Sequence, residues 1–283
     1  MPTPRDTKAF LKRSLKRAAW LAGSLRPDRA DLTRILTYHS VGTRRHDMNV
    51  LPNEFERQVE WLARACPVVS LSQAADLEPG VAITFDDGYR DSLTHAAPVL
   101  ARFRLPATFF IVAGRVGGFL DHDEPTEDAR LLSWKEILDL AAMGFDIGGH
   151  TLTHRRLAAL SHEEQREEVQ GCATLLREHV GTAPRSFAYP FGSALDYTER
   201  SKQLARETGY AYAVSNRYGP NARGADRWAL RRIWIDATDS LEMFQAKVTG
   251  RLDALVWMDS SVGTRARRWM NRALQHHRSS GGS

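Results

Sequence analysis

Between residues 34 and 255, short apolar, β-favouring runs alternate with helix-forming segments about seven times, with brief turns between them. This alternation is the strongest constraint on the fold. The run Ala107-Thr108-Phe109-Phe110-Ile111-Val112 is continuously apolar apart from one threonine, as a strand covered on both faces has to be. Strands are expected at 34–41, 67–71, 81–85, 107–112, 145–147, 186–189, 211–214 and 230–235. Helices are expected at 52–65, 91–103, 133–143, 161–179, 196–207 and 241–255. Three of them open on capping pairs, Ser133 with Glu136, Ser161 with Glu164, and Asp196 with Glu199. Residues 43–51 read as loop, and 114–130, Gly-rich and then acidic, as an excursion over one end of a sheet. The pattern predicts an α/β fold with a parallel sheet, open or closed into a barrel. In such folds ligands sit at the C-terminal ends of the strands.

Several chemistry-bearing groups fall at such strand ends. His39 follows the first strand, Asp86-Asp87 the run Val81-Ala82-Ile83-Thr84-Phe85, His150 the short run at 145–147, and Tyr189-Pro190-Phe191-Gly192 a later strand. Adjacent residues on a strand face opposite ways, so Asp86 and Asp87 should not share one job. Alternatively the chain twists at Gly88 and brings both into one site. Taken alone, Asp87-Gly88 is also an ordinary turn dipeptide. His150-Thr151-Leu152-Thr153-His154 spaces two imidazoles four residues apart, on one face if the segment is helical. Two histidines and a carboxylate form a common three-ligand metal set that leaves positions open.

The charge is unevenly placed. The chain carries +5 overall, but residues 1–34 carry +6 and 261–283 carry +5, so 35–260 is net −6. That argues against a nucleic-acid partner for the body of the protein. Residues 7–26 have the spacing of a basic amphipathic helix suited to an anionic membrane surface, with a helix packed on the domain as the plainer reading. There is no 18-residue apolar run, and Cys66 and Cys172 are not a disulfide framework. The apolar stretch near the N-terminus is a poor export signal, so the expected location is cytoplasmic, with peripheral contact at the inner membrane face.

Thr84-Phe85-Asp86-Asp87-Gly88, then His150-Thr151-Leu152-Thr153-His154, then Phe187-Ala188-Tyr189-Pro190-Phe191-Gly192 resemble the motifs of the polysaccharide deacetylases, a carbohydrate esterase family. The resemblance runs from about residue 34 to 255. It implies a distorted (β/α)7-type barrel, organised as a catalytic domain at 34–257 between basic extensions at 1–33 and 258–283. It further implies a divalent metal, most often Zn2+, with Co2+, Ni2+ or Fe2+ as variants, held by Asp87, His150 and His154. Asp86 would be the general base, and the backbone N–H of Phe191 would stabilise the oxyanion, with Tyr189 beside it. The implied substrate is an N-acetylated amino sugar of a polysaccharide, oligosaccharide or lipid-linked glycan.

Two departures matter. The usual C-terminal Leu-then-His motif is missing, and His276-His277 is too distant to replace it. Leu36-Thr37-Tyr38-His39-Ser40-Val41 instead resembles the permuted subgroup that includes poly-N-acetylglucosamine deacetylases, which implies His39 as the general acid. Ala188 stands where many members carry an arginine that pairs with the base; Arg232 is expected to supply that charge, with Arg185 the weaker choice. Trp228 and Trp234 are candidates for a sugar groove, and Asp121, His122, Asp123 and Glu124 for a rim loop. Rival readings are an O-acetyl esterase or other amide hydrolase on the same fold, and a catalytically silent glycan-binding member.

Overall fold

The computed structural model describes residues 32–43 and 46–259. The expected 7–26 helix and His276-His277 lie outside the described residues.

Seven parallel strands close into a barrel. They are β1 (Thr33–Tyr38), β2 (Gly80–Phe85), β3 (Thr108–Ile111), β4 (Asp146–Gly149), β5 (Ser186–Ala188), β6 (Tyr212–Tyr218) and β7 (Leu230–Trp234). The ring closes where Leu36 and Thr37 of β1 pair with Ile233 and Trp234 of β7. Pairing is uneven around the ring. β1 and β2 are in register over all of Thr33–Tyr38, whereas β4 touches β5 at the single pair Gly149 and Phe187. Between Val214 and Tyr218 the register slips against β7. These irregularities distort the barrel.

Strand alternation sorts the core into two layers. Ile35, Ala82, Phe110, Ala188, Val214 and Leu230 pack together inside the ring with the short helix α2 (Leu71–Ala75). Their neighbours Leu36, Val81, Ile83, Phe85, Phe109, Ile111 and Ile233 face outward. There they meet α1 (Pro52–Ala65), whose buried stripe is Phe55, Gln58, Val59 and Leu62, and α3 (Ala97–Phe103) through Leu100. Phe85 stacks between Tyr38 and Phe109, with ring centroids 5.4 and 4.7 Å away, which pins the outer face of β2 just before its acids.

The remaining helices are α4 (Trp134–Ala142), α5 (His162–Val180), α6 (Glu199–Thr208) and α7 (Leu241–Val248). The Ser133/Glu136 and Ser161/Glu164 capping boxes form as expected. The third does not. Thr198, with Ser201, caps α6, while Asp196 accepts the Ser193 N–H and pairs with Arg156.

Other boundaries differ for local reasons. The expected 67–71 strand is reduced to a bridge between Val68 and Val81, because Ser70 caps α2 in a box with Gln73. The expected 91–103 helix starts as a π-turn at Ser92–Ala96. Pro98 has no N–H for a regular turn, and the Ala97 N–H instead reaches back to Ser92 O. The 43–51 segment includes a two-residue strand, Asn49–Val50, beside Ser40–Val41. The 211–214 strand runs on to Tyr218, and the last helix stops at Val248, seven residues short of expectation. Among the described residues no helix is long and apolar enough to cross a membrane.

Candidate active site

The two acids leave β2 in different directions. Ala82 and Thr84 face the barrel interior, and Asp86 continues that face while its N–H donates to Tyr38 O at 2.9 Å. Asp87 itself turns the chain, with φ +72°, before Gly88 at +80°. So the reversal begins one residue earlier than Gly88. Alternation does not send Asp87 to the outside, and both carboxylates open into one cleft at the barrel mouth.

Asp86 is held by Arg232 of β7. The guanidinium donates from Nη1 to Oδ1 at 2.7 Å and from Nη2 to Oδ2 at 2.6 Å, and both side chains are fully buried. Arg232 also donates to Thr84 Oγ1 (3.1 Å) and Ser215 O (2.9 Å), so its fork cannot swing. Burial alone would raise the Asp86 carboxyl; the Arg232 charge, aided by His150 and His39, outweighs it and holds the group below the usual carboxylate range. Arg185, the weaker candidate, lies at the other end of the barrel beside Asp146 and Tyr212, in a second cavity of about 250 Å³.

Asp87, His150 and His154 converge, with one potential ligand atom from each lying within 4.8 Å of the others. Asp87 Oδ1 is 3.3 Å from His150 Nε2 and 3.2 Å from His154 Nε2. His150 Nδ1 is 2.8 Å from Ala188 O. A carbonyl only accepts, so Nδ1 carries the proton and Nε2 turns its lone pair to Asp87. Asp87 Oδ1 is buried and has no well-aligned donor among the described residues. An acceptor oxygen facing imidazole nitrogens is repulsive unless a cation or proton lies between them. The donor set therefore fits a divalent cation. Without a cation a proton takes that place, and the two histidines then outweigh the burial that would raise the Asp87 carboxyl and hold it well below its ordinary value.

The histidine pair is not helical as expected. Residues 150–154 form an irregular turn in which Thr151 and His154 both have positive φ, +65° and +64°. Thr151 Oγ1 accepts the His154 N–H at 3.0 Å and closes the turn. Phe191 is also left-handed, at +61°. Non-glycine residues in this region carry strain of order 1–3 kcal/mol each, and such strain concentrates at working sites.

The cleft has a volume of about 390 Å³. His39 lines it beyond the end of β1, with a buried Nδ1 that has no partner among the described residues. Burial lowers this imidazole below its ordinary value despite the pull of Asp87 and Asp86. Phe191 stands at the rim, 46% exposed, its ring centroid 5.0 Å from that of His154, with the Arg156 guanidinium 4.7 Å above it. The 114–130 excursion delivers one residue to the cleft wall, His122, whose ring lies 5.5 Å from that of His154.

Some expected groups are elsewhere. Tyr189 is buried behind the cleft, stacked on Tyr197 at 4.3 Å and donating its hydroxyl to Trp228 O at 2.9 Å, so it is not a wall of the site. Lying just before the Pro190-Phe191-Gly192 turn, it faces the layer outside the barrel. Trp228 and Trp234 are also off the cleft lining; Trp234 donates its indole N–H to Asn216 O at 2.7 Å. That bond fixes a residue missed in the sequence. Asn216 lines the cleft with a buried Oδ1 that has no partner among the described residues. A polar residue late in an apolar strand was the available signal. Also on the wall are Arg156, which gave no signal beyond ordinary surface charge, and Asp196, which in the sequence reads only as a helix cap.

Residues 74–213 match the polysaccharide deacetylase family. The Bacillus subtilis protein YxkH is 29% identical over 223 residues, 76% of this chain and 75% of that protein. The poly-β-1,6-N-acetyl-D-glucosamine N-deacetylase of Staphylococcus epidermidis is 24% identical over 212 residues, covering 68% and 71%. Among solved structures, IcaB from Ammonifex degensii superposes with a TM-score of 0.66 at 28% identity, over 77% of this chain and 97% of that one. A Streptococcus pyogenes deacetylase, PplD, shares the fold with a TM-score of 0.67 at 21% identity, over 77% of this chain and 98% of that one. The barrel, the order of its motifs along the chain and these relatives agree, and the chain carries a polysaccharide deacetylase domain.

Proposed function

We propose that the protein removes N-acetyl groups from amino sugars of a glycan, hydrolysing the amide with a divalent metal, zinc in the first instance, held by Asp87, His150 and His154. The observation that carries the reading is the pairing of two unlike acids: Asp87 faces the two imidazoles, and beside it Asp86 is fixed by Arg232. When bound, the cation supplies Lewis-acid polarisation of the acyl oxygen and makes a water more acidic.

The chain's own groups do the rest. Asp86 is ionised at neutral pH and accepts the proton of the attacking water, while the Arg232 fork keeps its oxygens aimed into the cleft. The Phe191 backbone N–H, on the strained rim turn, donates to the acyl oxygen as negative charge develops there. His39 is neutral in the resting cleft because burial lowers it. It takes a proton from solvent as that negative charge builds up and gives it to the amine nitrogen as the C–N bond breaks; acetate leaves, and Asp86 returns the water's proton to solvent. Phe191 and His122 flank the entrance, where a sugar ring would enter.

Acetate release from N-acetylglucosamine oligomers tests the reading. Protein stripped with a chelator should be inactive and regain activity with Zn2+ or Co2+. Equal release in the stripped protein would refute the metal assignment, and release confined to O-acetyl esters would move the activity to that bond.

A further inference from the structure

The turn that carries His150 and His154 is gripped from two sides. On one side its carbonyls accept backbone N–H groups from the turn after β3, Ala113 to Thr151 O at 3.1 Å and Gly114 to Leu152 O at 2.8 Å. Gly114 permits that approach, since a Cβ there would lie 2.6 Å from Leu152 O. On the other side stands one carboxylate. Glu168 of α5 accepts the Leu152 N–H at 2.9 Å and the Thr153 N–H at 2.8 Å on Oε2, and the Thr153 hydroxyl on Oε1. Glu168 is only 4% exposed. The Leu152 side chain packs against Gly171, one turn further along the same helix.

We infer that Glu168 is a positioning residue for the metal-binding histidines, acting through the backbone between them; this rests on the reading of Asp87, His150 and His154 as the ligands. A buried carboxylate costs free energy unless its oxygens are bonded. Glu168 takes three bonds from Leu152 and Thr153, the two residues between the left-handed positions Thr151 and His154. Both of those positions are held in a sparsely populated backbone region. A free loop would relax from it, and His154 Nε2 would leave the 3.2 Å position it holds against Asp87 Oδ1. Charge-assisted bonds to two adjacent N–H groups are about twice as strong as neutral ones. The carboxylate therefore fixes the loop before any ligand arrives. Outer contacts of this kind typically account for about 10–100-fold in metal affinity.

The test is metal titration, read independently of turnover. Zn2+ is titrated against a chromophoric chelator into metal-stripped wild type, Glu168→Gln and Thr153→Val, and the absorption of the Co2+ forms is recorded. Glu168→Gln keeps the volume but removes the charge and one acceptor; it should bind Zn2+ about 10–100-fold more weakly and shift the Co2+ bands. Thr153→Val removes one of the three bonds and should show a smaller loss in the same direction. It keeps the test alive if Glu168→Gln fails to fold. Melting of the metal-free proteins separates the roles: a residue that only packs the helix lowers the melting temperature while affinity, measured well below it, stays at the wild-type value. Wild-type affinity in the folded variants overturns the inference. A wild-type protein that takes up no metal removes the ligand reading itself, and the clamp falls with it.

Discussion

Among single residues, Asp86 and Arg232 are interdependent. Removing one partner of a buried pair leaves an uncompensated charge, at a cost of about 3–5 kcal/mol. Arg232→Met should therefore destabilise the metal-free fold by that amount in urea unfolding, because Asp86 remains buried against the barrel interior. A near-neutral effect would mean that Asp86 finds another partner or water. His39 makes a different prediction. It stands outside the Asp87, His150 and His154 set, so His39→Ala should leave metal uptake intact and reduce kcat by about 10²–10⁴-fold. Steady-state acetate release together with metal content checks this; metal lost in step with activity would assign His39 to binding.

Among the elements, each strand end supports the residue that follows it. β4 is the most constrained: a Cβ on Gly149 would lie 2.4 Å from the Tyr210 hydroxyl and 3.1 Å from Cys172 Sγ. Gly149→Ala should cost about 1–3 kcal/mol by overpacking and also weaken metal binding, since His150 is the next residue. Thermal melting and Zn2+ titration of the variant would show whether the two losses occur together. The same elements show how far the sequence could be read. Runs such as Ala107–Val112 announced buried strands because both faces are covered, and Ser133 and Ser161 announced helix starts because a cap is a local interaction. The barrel's register and closure depend on pairings between distant segments, such as Leu36 with Ile233, and left no local signature. The acids and the first histidine were legible from their places after strands, and Arg232, within the last strand, only as a replacement for the arginine that the family motif places at Ala188. The irregular turn at 150–154, the burial of Tyr189 and the Glu168 clamp were not, since each depends on backbone geometry or on contacts far along the chain.

In the molecule as a whole, the barrel mouth gathers negative charge that needs ionised partners. Asp86 and Asp87 both lie below the ordinary carboxylate value in the fold. A depressed carboxylate contributes stability that is present above its unfolded value, near about 3.9, and is lost as pH falls through the folded value. Metal-free protein should therefore melt at nearly constant temperature from neutrality to about pH 5, as far as these two groups are concerned, and fall steeply below about pH 4. An Asp86→Asn, Asp87→Asn double variant should show a shallower acid limb; an unchanged limb would place the acid sensitivity elsewhere.

Two neighbouring carboxylates, separated by a turn that begins at Asp87, thus do different work in one cleft. The decisive measurement is metal content and acetate release, taken side by side on Asp86→Asn and Asp87→Asn. Asp86→Asn should keep its metal and lose turnover by about 10²–10⁴-fold, while Asp87→Asn should lose the metal and the activity together. Metal lost equally from both variants, or turnover retained by Asp86→Asn, would show that the division of labour between the two acids is wrong.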